Sequence, residues 1–313
     1  MDNFLIVAEQ VAILFALMAV GAALRKLKLL TDGGAEGMVN LLILIVTPCL
    51  IADVFQRPFS PEMLNSLGLA FLIAVLGHVA VIFLAYLAVR HRDENVCRPM
   101  RLAAVFSNAG FMGIPLEQAV LGDAGVFYGV VYVVVFNLVM WSWGYGTMKK
   151  EKGIVKSEKV NVHCFVNPGT VGLAFGLPLF FFSAKLPAVV GTPVHLIAGL
   201  NTPLAMMVIG YCLVGAKLRI VARMPVVYVA AAIRLVVYPL LVVAAMYPFR
   251  HHLDRNMMLA ITVSASAPVA AMVSMFATKF GRDVDTSVAV VSGSTLLSIL
   301  TMPVVIALAM SVL

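Results

Sequence analysis

Apolar residues run along this chain in blocks of about 20, the length a helix needs to cross the hydrocarbon core of a bilayer. Ten blocks are read, at roughly 4–24, 37–56, 64–89, 100–121, 124–148, 166–185, 192–216, 225–248, 256–278 and 286–312. Short polar stretches separate them, and one longer stretch, Lys149 to Cys164, falls near the middle. The pattern predicts an all-α membrane protein with ten transmembrane helices. The first block opens with Met1-Asp2-Asn3 and carries its basic cluster behind it, so it is expected to stay as a span and not to be cleaved as a signal.

Two blocks are interrupted at matching places. The fourth contains Ser107-Asn108-Ala109-Gly110-Phe111-Met112-Gly113-Ile114-Pro115, and the ninth contains Ser264-Ala265-Ser266-Ala267-Pro268. Backbone unwound in lipid leaves N–H and C=O groups unpaired, so such a break survives only where it is buried in protein or lines a polar cavity. Interrupted spans in corresponding positions point to the binding site of a secondary transporter. Pro203 follows Pro48 by 155 residues, and Pro268 follows Pro115 by 153. The shared offset predicts a five-helix repeat over residues 1–148, a short cytoplasmic linker over 149–165, and a second five-helix repeat over 166–313. Each copy has an odd number of spans, so the second enters the membrane inverted. Helices 4 and 9 are then expected to be broken and to cross near the midplane.

At such a crossing each broken span aims a half-helix N-terminus at the centre, with unsatisfied N–H groups and partial positive charge. That arrangement suits a carboxylate or another anion. Gly110 and Gly113 are read as allowing unusual backbone angles and close approach. Pro115 and Pro268 keep the helical ladder from re-forming. Asn108, Ser264 and Ser266 add uncharged hydrogen-bonding groups at the same level, and Asn201, beside Pro203, joins them as a candidate. Asn137, Thr295 and Ser298 are read either as cavity residues or as interhelical hydrogen-bond glue.

Arg234 lies about 13 Å deep in span 8 at 1.5 Å per residue. A charge there is expensive and by default functional; it either neutralises an anionic substrate or pairs with an acid. His78 holds nearly the same position in the first repeat, as a titrating switch or a hydrogen-bonded helix contact. Asp53 and Glu117 are candidates to carry a proton between states, and each lies near enough to a predicted helix end to be simply solvated. No catalytic residue, metal site or cofactor is expected: the chain has neither an H-E-x-x-H metal motif nor a G-x-x-x-x-G-K-[ST] phosphate loop.

Composition agrees with a bilayer solvent. The chain is 62% hydrophobic and 12% charged, against roughly 45–50% and 25% in soluble domains. Its net charge of +7 would suggest nucleic acid if it were spread evenly. Instead the basic residues gather after the odd-numbered spans: Arg25, Lys26 and Lys28; Arg90, Arg92, Arg98 and Arg101; Lys149, Lys150, Lys152, Lys156 and Lys159; Lys217, Arg219 and Arg223; Lys279 and Arg282. The alternate loops hold only Arg57, Lys185, Arg250 and Arg255. This asymmetry places the odd-numbered loops in the cytoplasm and both termini outside. The surplus charge sets topology, and the expected partner is lipid, not nucleic acid. Cys49, Cys97, Cys164 and Cys212 form no C-x-x-C pair and are expected to be reduced, apolar fillers.

Ser107 to Leu116 resembles the span-4 signature of the auxin efflux carrier family. So do Asn167-Pro168-Gly169-Thr170-Val171-Gly172, Pro203-Leu204-Ala205-Met206-Met207-Val208-Ile209-Gly210 and Ser294-Thr295-Leu296-Leu297-Ser298-Ile299-Leu300-Thr301-Met302-Pro303, at the family's corresponding places. The resemblance covers the whole chain. It implies ten spans in two inverted repeats, a scaffold of spans 1, 2, 6 and 7, and a moving transport domain of spans 3–5 and 8–10. It implies substrate at the crossing of spans 4 and 9, with Asn108 in the place of the family's asparagine. Arg234 with Pro239 fits a recurring basic residue of span 8. Homodimers are implied as well. The central loop is short here, as in bacterial members associated with malonate, malate and similar acids, which favours a small carboxylate and a bacterial plasma membrane over auxin itself. The expected function is alternating-access transport of a small organic anion. The alternatives are a sodium- or proton-coupled symporter or an antiporter of the same fold with another cargo, and more distantly a membrane-embedded enzyme or receptor.

Overall fold

A computed structural model describes residues 2–149, 168–214 and 224–313. In chain order the helices are α1 (Asp2–Lys26), α2 (Asp32–Val54), α3 (Pro61–Ala88), α4 (Glu94–Val105), α5 (Ile114–Leu121), α6 (Asp123–Lys149), α7 (Pro168–Phe181), α8 (Ala188–Leu213, with a turn at Gly199 and Leu200), α9 (Pro225–Phe249), α10 (Arg255–Ser266), α11 (Met272–Lys279) and α12 (Val284–Val312). Among the described residues the only extended pairing is a single antiparallel bridge.

Six of these helices, α2, α3, α6, α8, α9 and α12, are long and apolar enough to cross a membrane. Their ends lie within a few residues of the predicted blocks. The fourth and ninth blocks are each two short helices, α4 with α5 and α10 with α11, separated by extended backbone. Residues 150–165 of the predicted linker, with Cys164, and Asn167 of the resembling motif lie outside the described residues. Cys49, Cys97 and Cys212 are free.

Local sequence explains the starts and the kinks. Thr31, Ser60, Asp93, Asp254 and Asp283 each accept a backbone N–H from the first turn of the helix they precede, satisfying a donor that helix geometry leaves unpaired. Wide π turns at Leu42–Val46, Ala109–Gly113 and Ile233–Val237 stand just before Pro48, Pro115 and Pro239. A proline inside a helix lacks its N–H and crowds the carbonyl four residues back; widening that turn accommodates the ring.

Two groups of helices result, joined to each other where α1 lies against α12 and α5 and where α2 lies against α6. In one, α1 lies against α8, and α2 against α7 and α8. In the other, α6 packs on α3, α5 and α10, α9 on α4 and α10, and α12 on α10 and α11. Lipid tails are as apolar as the side chains, so close packing and interhelical hydrogen bonds hold helices together here. The α1–α8 seam shows how close: a Cβ added at Gly21 would fall on the Met207 carbonyl, and one added at Gly210 on the Met18 carbonyl. Phe71, Leu72, Leu76, Val79 and Phe83 of α3, and Leu296, Leu297, Leu300 and Val304 of α12, remain exposed, as side chains facing lipid would.

Candidate functional site

The two interruptions meet. The chain leaves helical geometry at Phe106–Asn108 and again beyond Ser266, and Ser107 pairs with Val269 in the antiparallel bridge. Asn108 N donates to the Pro268 carbonyl at 2.6 Å, and Ala270 N donates to the Phe106 carbonyl at 2.9 Å. Val269 N donates to Ser294 Oγ of α12 at 3.1 Å. Backbone groups freed by the two breaks are thus satisfied by one another and by a neighbouring hydroxyl, as an apolar medium requires. Past the bridge, the Asn108 carbonyl accepts from Met112 N at 2.9 Å and Gly113 N at 3.2 Å, opening the π turn that leads into α5. The amides of that first turn have no preceding helical carbonyl to bind. Asn108 is half-buried, and Gly110 is exposed with open space where a Cβ would stand. Gly113 instead packs against Ser264. Neither glycine uses a left-handed backbone: the described glycines with positive φ are Gly122 and Gly281. The expectation of unusual angles is therefore corrected; the missing side chains provide space, not dihedral freedom.

Arg234 is fully buried, and its guanidinium donates to the Val105 carbonyl at 2.7 Å and to the Ala265 carbonyl. These carbonyls lie in the last turns of α4 and α10. A helix C-terminus carries unpaired carbonyls and partial negative charge, and the crossing brings two such ends to one place, where a single cation answers both. The Arg234 Cζ also lies 4.7 Å from the centre of the Tyr238 ring. The sequence offered substrate or an acidic side chain as its partner; the partners are backbone carbonyls.

Glu117 corrects another expectation. Its place two residues past Pro115 suggests a helix end open to solvation, yet it is fully buried, because α5 packs at once against α6 and α10. Its Oε1 accepts from Ser264 Oγ at 2.6 Å, and its Oε2 has no partner. A Cβ at Gly129 of α6 would fall on that carboxyl. Gly129→Ala is therefore expected to destabilise the protein by about 1–3 kcal/mol through overpacking. Thermal unfolding in detergent would register it, and combining it with Glu117→Ala should remove part of the loss.

A second cluster surrounds two adjoining cavities of about 100 and 440 Å³ between α2, α8 and the α5–α6 junction. Asp53 Oδ2 lies 2.8 Å from His195 Nδ1, and Asp123 and Asn201 share the lining. Gln118 Nε2 donates to Asp123 Oδ1 at 3.0 Å. The buried Asn201 Nδ2 and Gln118 Oε1 have no partner. Asp53 and Asn201, separate candidates in the sequence, thus fall together in a lining that holds no residue of the bridge.

Three candidates are engaged within their own helices. Asn137 Nδ2 donates to the Val133 carbonyl at 2.9 Å, Ser266 Oγ to the Val263 carbonyl at 2.9 Å, and His78 Nδ1 lies 2.7 Å from the Ala74 carbonyl. The buried His78 ring sits 5.1 Å from Tyr132 and 6.4 Å from Phe106. Gly129, Gln118, Asp123 and His195 do not stand out in the sequence. An acid at 53 and a histidine at 195 carry no pairing signal, since they are brought together only by the packing of α2 on α8.

The profile of the family described as "Membrane transport protein" matches residues 6–306. A protein of Methanothermobacter thermautotrophicus described as an "Uncharacterized transporter" is 26% identical over 300 residues, covering 94% of this chain and 96% of the relative. The match spans nearly all of the chain's length, well beyond the broken helices. The chain belongs to the membrane transport protein family, that of the auxin efflux carriers whose signatures its fourth, sixth, seventh and last apolar blocks carry.

Proposed function

We propose that this transporter moves a small organic anion, a carboxylate such as malonate or malate, across the plasma membrane by alternating access, with the crossing of the two broken helices as the binding site. The observation that carries the reading is the antiparallel meeting of Ser107 and Val269. It sets the amide-rich start of the Asn108–Gly113 turn beside open space at Gly110, a suitable seat for an anion. Asn108 is the side-chain donor, and Gly113, Pro115, Ser264, Ser266 and Pro268 shape the surrounding backbone. Arg234 acts through the two helix ends that it ties.

The proposed architecture has ten spans in two inverted units, 1–148 and 166–313, joined by a cytoplasmic linker, with both termini extracytoplasmic. The scaffold comprises α1, α2, α7 and α8, and the transport domain the remaining helices. The packing of α1 on α8 and of α2 on α7 and α8 supports the scaffold grouping, and the excess of basic residues in alternate loops supports the orientation of the spans. A homodimer is part of the same reading.

Flux of radiolabelled malonate and malate into proteoliposomes tests it. A hydrogen bond to a charged group contributes about 1.5–3 kcal/mol, so Asn108→Ala is expected to weaken apparent affinity roughly ten- to hundredfold. The Pro115→Ala/Pro268→Ala double variant is expected to lose transport. Unchanged flux in folded, inserted variants rejects the crossing as the site.

A further inference from the structure

The anion reading gives no role to one buried group at the crossing, the Glu117 carboxyl. One oxygen accepts from the Ser264 hydroxyl, and the other meets no donor. Room for that second oxygen exists because residue 129 is glycine.

Among the described residues, none of the charged and titratable groups on the elements packed around α5 forms a hydrogen bond or ion pair with Glu117; on α8, His195 pairs with Asp53. On α6, Asp123 takes the Gln118 amide, Tyr128 lies near Asp254, Ser66 and Arg57, and the Tyr132 ring lies 5.1 Å from His78, its hydroxyl without a hydrogen-bond partner. On α10, Arg255 donates to the Met310 carbonyl. On α1, Glu9 is exposed, and Arg25 sits with Asp32 and with Tyr211 of α8, where Cys212 is exposed. Arg234 is bound to the Val105 and Ala265 carbonyls. An ionised Glu117 would thus hold a full charge against one neutral hydroxyl, out of reach of water. A neutral carboxyl leaves at most a single hydroxyl unpaired, a far smaller penalty.

We propose that Glu117 is a proton-binding site coupled to the cargo. It holds a proton while α5 lies closed on α6 and α10, as here. It ionises when α5 loosens from Ser264 and Gly129, beyond an intact Ser107–Val269 bridge, and water reaches it. In that step the carboxyl O–H bond breaks, its electron pair stays on the carboxylate oxygen, and the proton passes to water; nothing is oxidised or reduced. Return to the closed arrangement takes a proton from water on the other side. The inference rests on the carrier reading above. A proton on Glu117 offsets one negative charge of the carboxylate cargo at the crossing, so the two move together with less net charge than the cargo alone.

Two measurements separate this proposal from the cargo assignment. Infrared difference spectra between the native protein and Glu117→Gln in lipid at neutral pH are expected to lack the carbonyl band of a protonated acid in the variant. Loss of carboxylate bands instead overturns the proposal, whatever the cargo. Gly129→Ala, which crowds the carboxyl but keeps the acid, is expected to shift that band without removing it. In proteoliposomes with the membrane potential clamped, an imposed proton gradient is expected to raise malonate or malate accumulation by up to about tenfold per pH unit. In Glu117→Gln the ratio with and without the gradient should fall to one. Native accumulation that ignores the gradient, or that follows sodium in its place, overturns the coupling. Failure of both acids to exchange counts against the cargo alone, and the infrared result still decides Glu117.

Discussion

Arg234→Met is expected to be the most damaging single substitution in the chain. The methionine fills much of the volume but donates nothing, and it strands the Val105 and Ala265 carbonyls in a region without water. Each hydrogen bond to a charged group is worth about 1.5–3 kcal/mol, so the loss is about 3–6 kcal/mol. That is a large share of the roughly 5–15 kcal/mol that separates folded from unfolded proteins. Arg234→Lys is not a rescue. A guanidinium presents a rigid fork that reaches two acceptors at fixed separation, whereas an ammonium is a point donor on a flexible stem. Lysine should recover less than half of the lost stability. Thermal unfolding of the detergent-purified variants, with flux measured alongside, provides the check. A melting temperature unchanged in Arg234→Met would mean that the carbonyls have other partners and that the guanidinium is dispensable to the crossing.

The second large effect is expected at the α1–α8 seam. Gly21→Ala and Gly210→Ala each place a methyl on a backbone carbonyl, that of Met207 and that of Met18 respectively. No rotamer relieves such a clash, because both the added carbon and the atom it meets are fixed to main chain. The helices must separate, which destabilises by about 3 kcal/mol for either change, the upper end of ordinary overpacking. The two effects should not add. Once the first alanine has parted the helices, the second enters a gap already opened, so the double variant should lose clearly less than the sum. Additive losses in a double-mutant cycle would show that the two contacts relax independently.

The sequence is most informative where a feature is local. Prolines at 115 and 268 and the small polar residues before them mark backbone that cannot continue as helix, and both breaks stand where those residues put them. Apolar blocks of membrane-crossing length likewise locate the long helices, because that length is imposed by the solvent and not by neighbours. Partnership between distant residues is not legible. Nothing near Arg234 says that two carbonyls 129 and 31 residues away will face it. Glu117 looks like an end-of-helix acid because its burial is decided by Gly129 and Ser264, on two other helices. Asn137 reads as a cavity residue or as interhelical glue because a lone polar side chain in an apolar block carries no sign that it bonds to its own helix. Glycine raises the same ambiguity throughout: the letter signals freedom, but whether it is used for dihedral range, as at Gly122, or for proximity, as at Gly21, depends on what the fold brings alongside.

The bridge between Ser107 and Val269 also has a mechanical consequence. Its bonds rivet together the midpoints of two stretches of chain that belong to opposite halves of the sequence, and no solvent is at hand to replace a bond that breaks. Shearing one stretch past the other would maroon those dipoles in hydrocarbon, so a force on either is delivered to both. Whatever rests against this joint travels as a passenger on a single stiff body and is not threaded between two sliding rods.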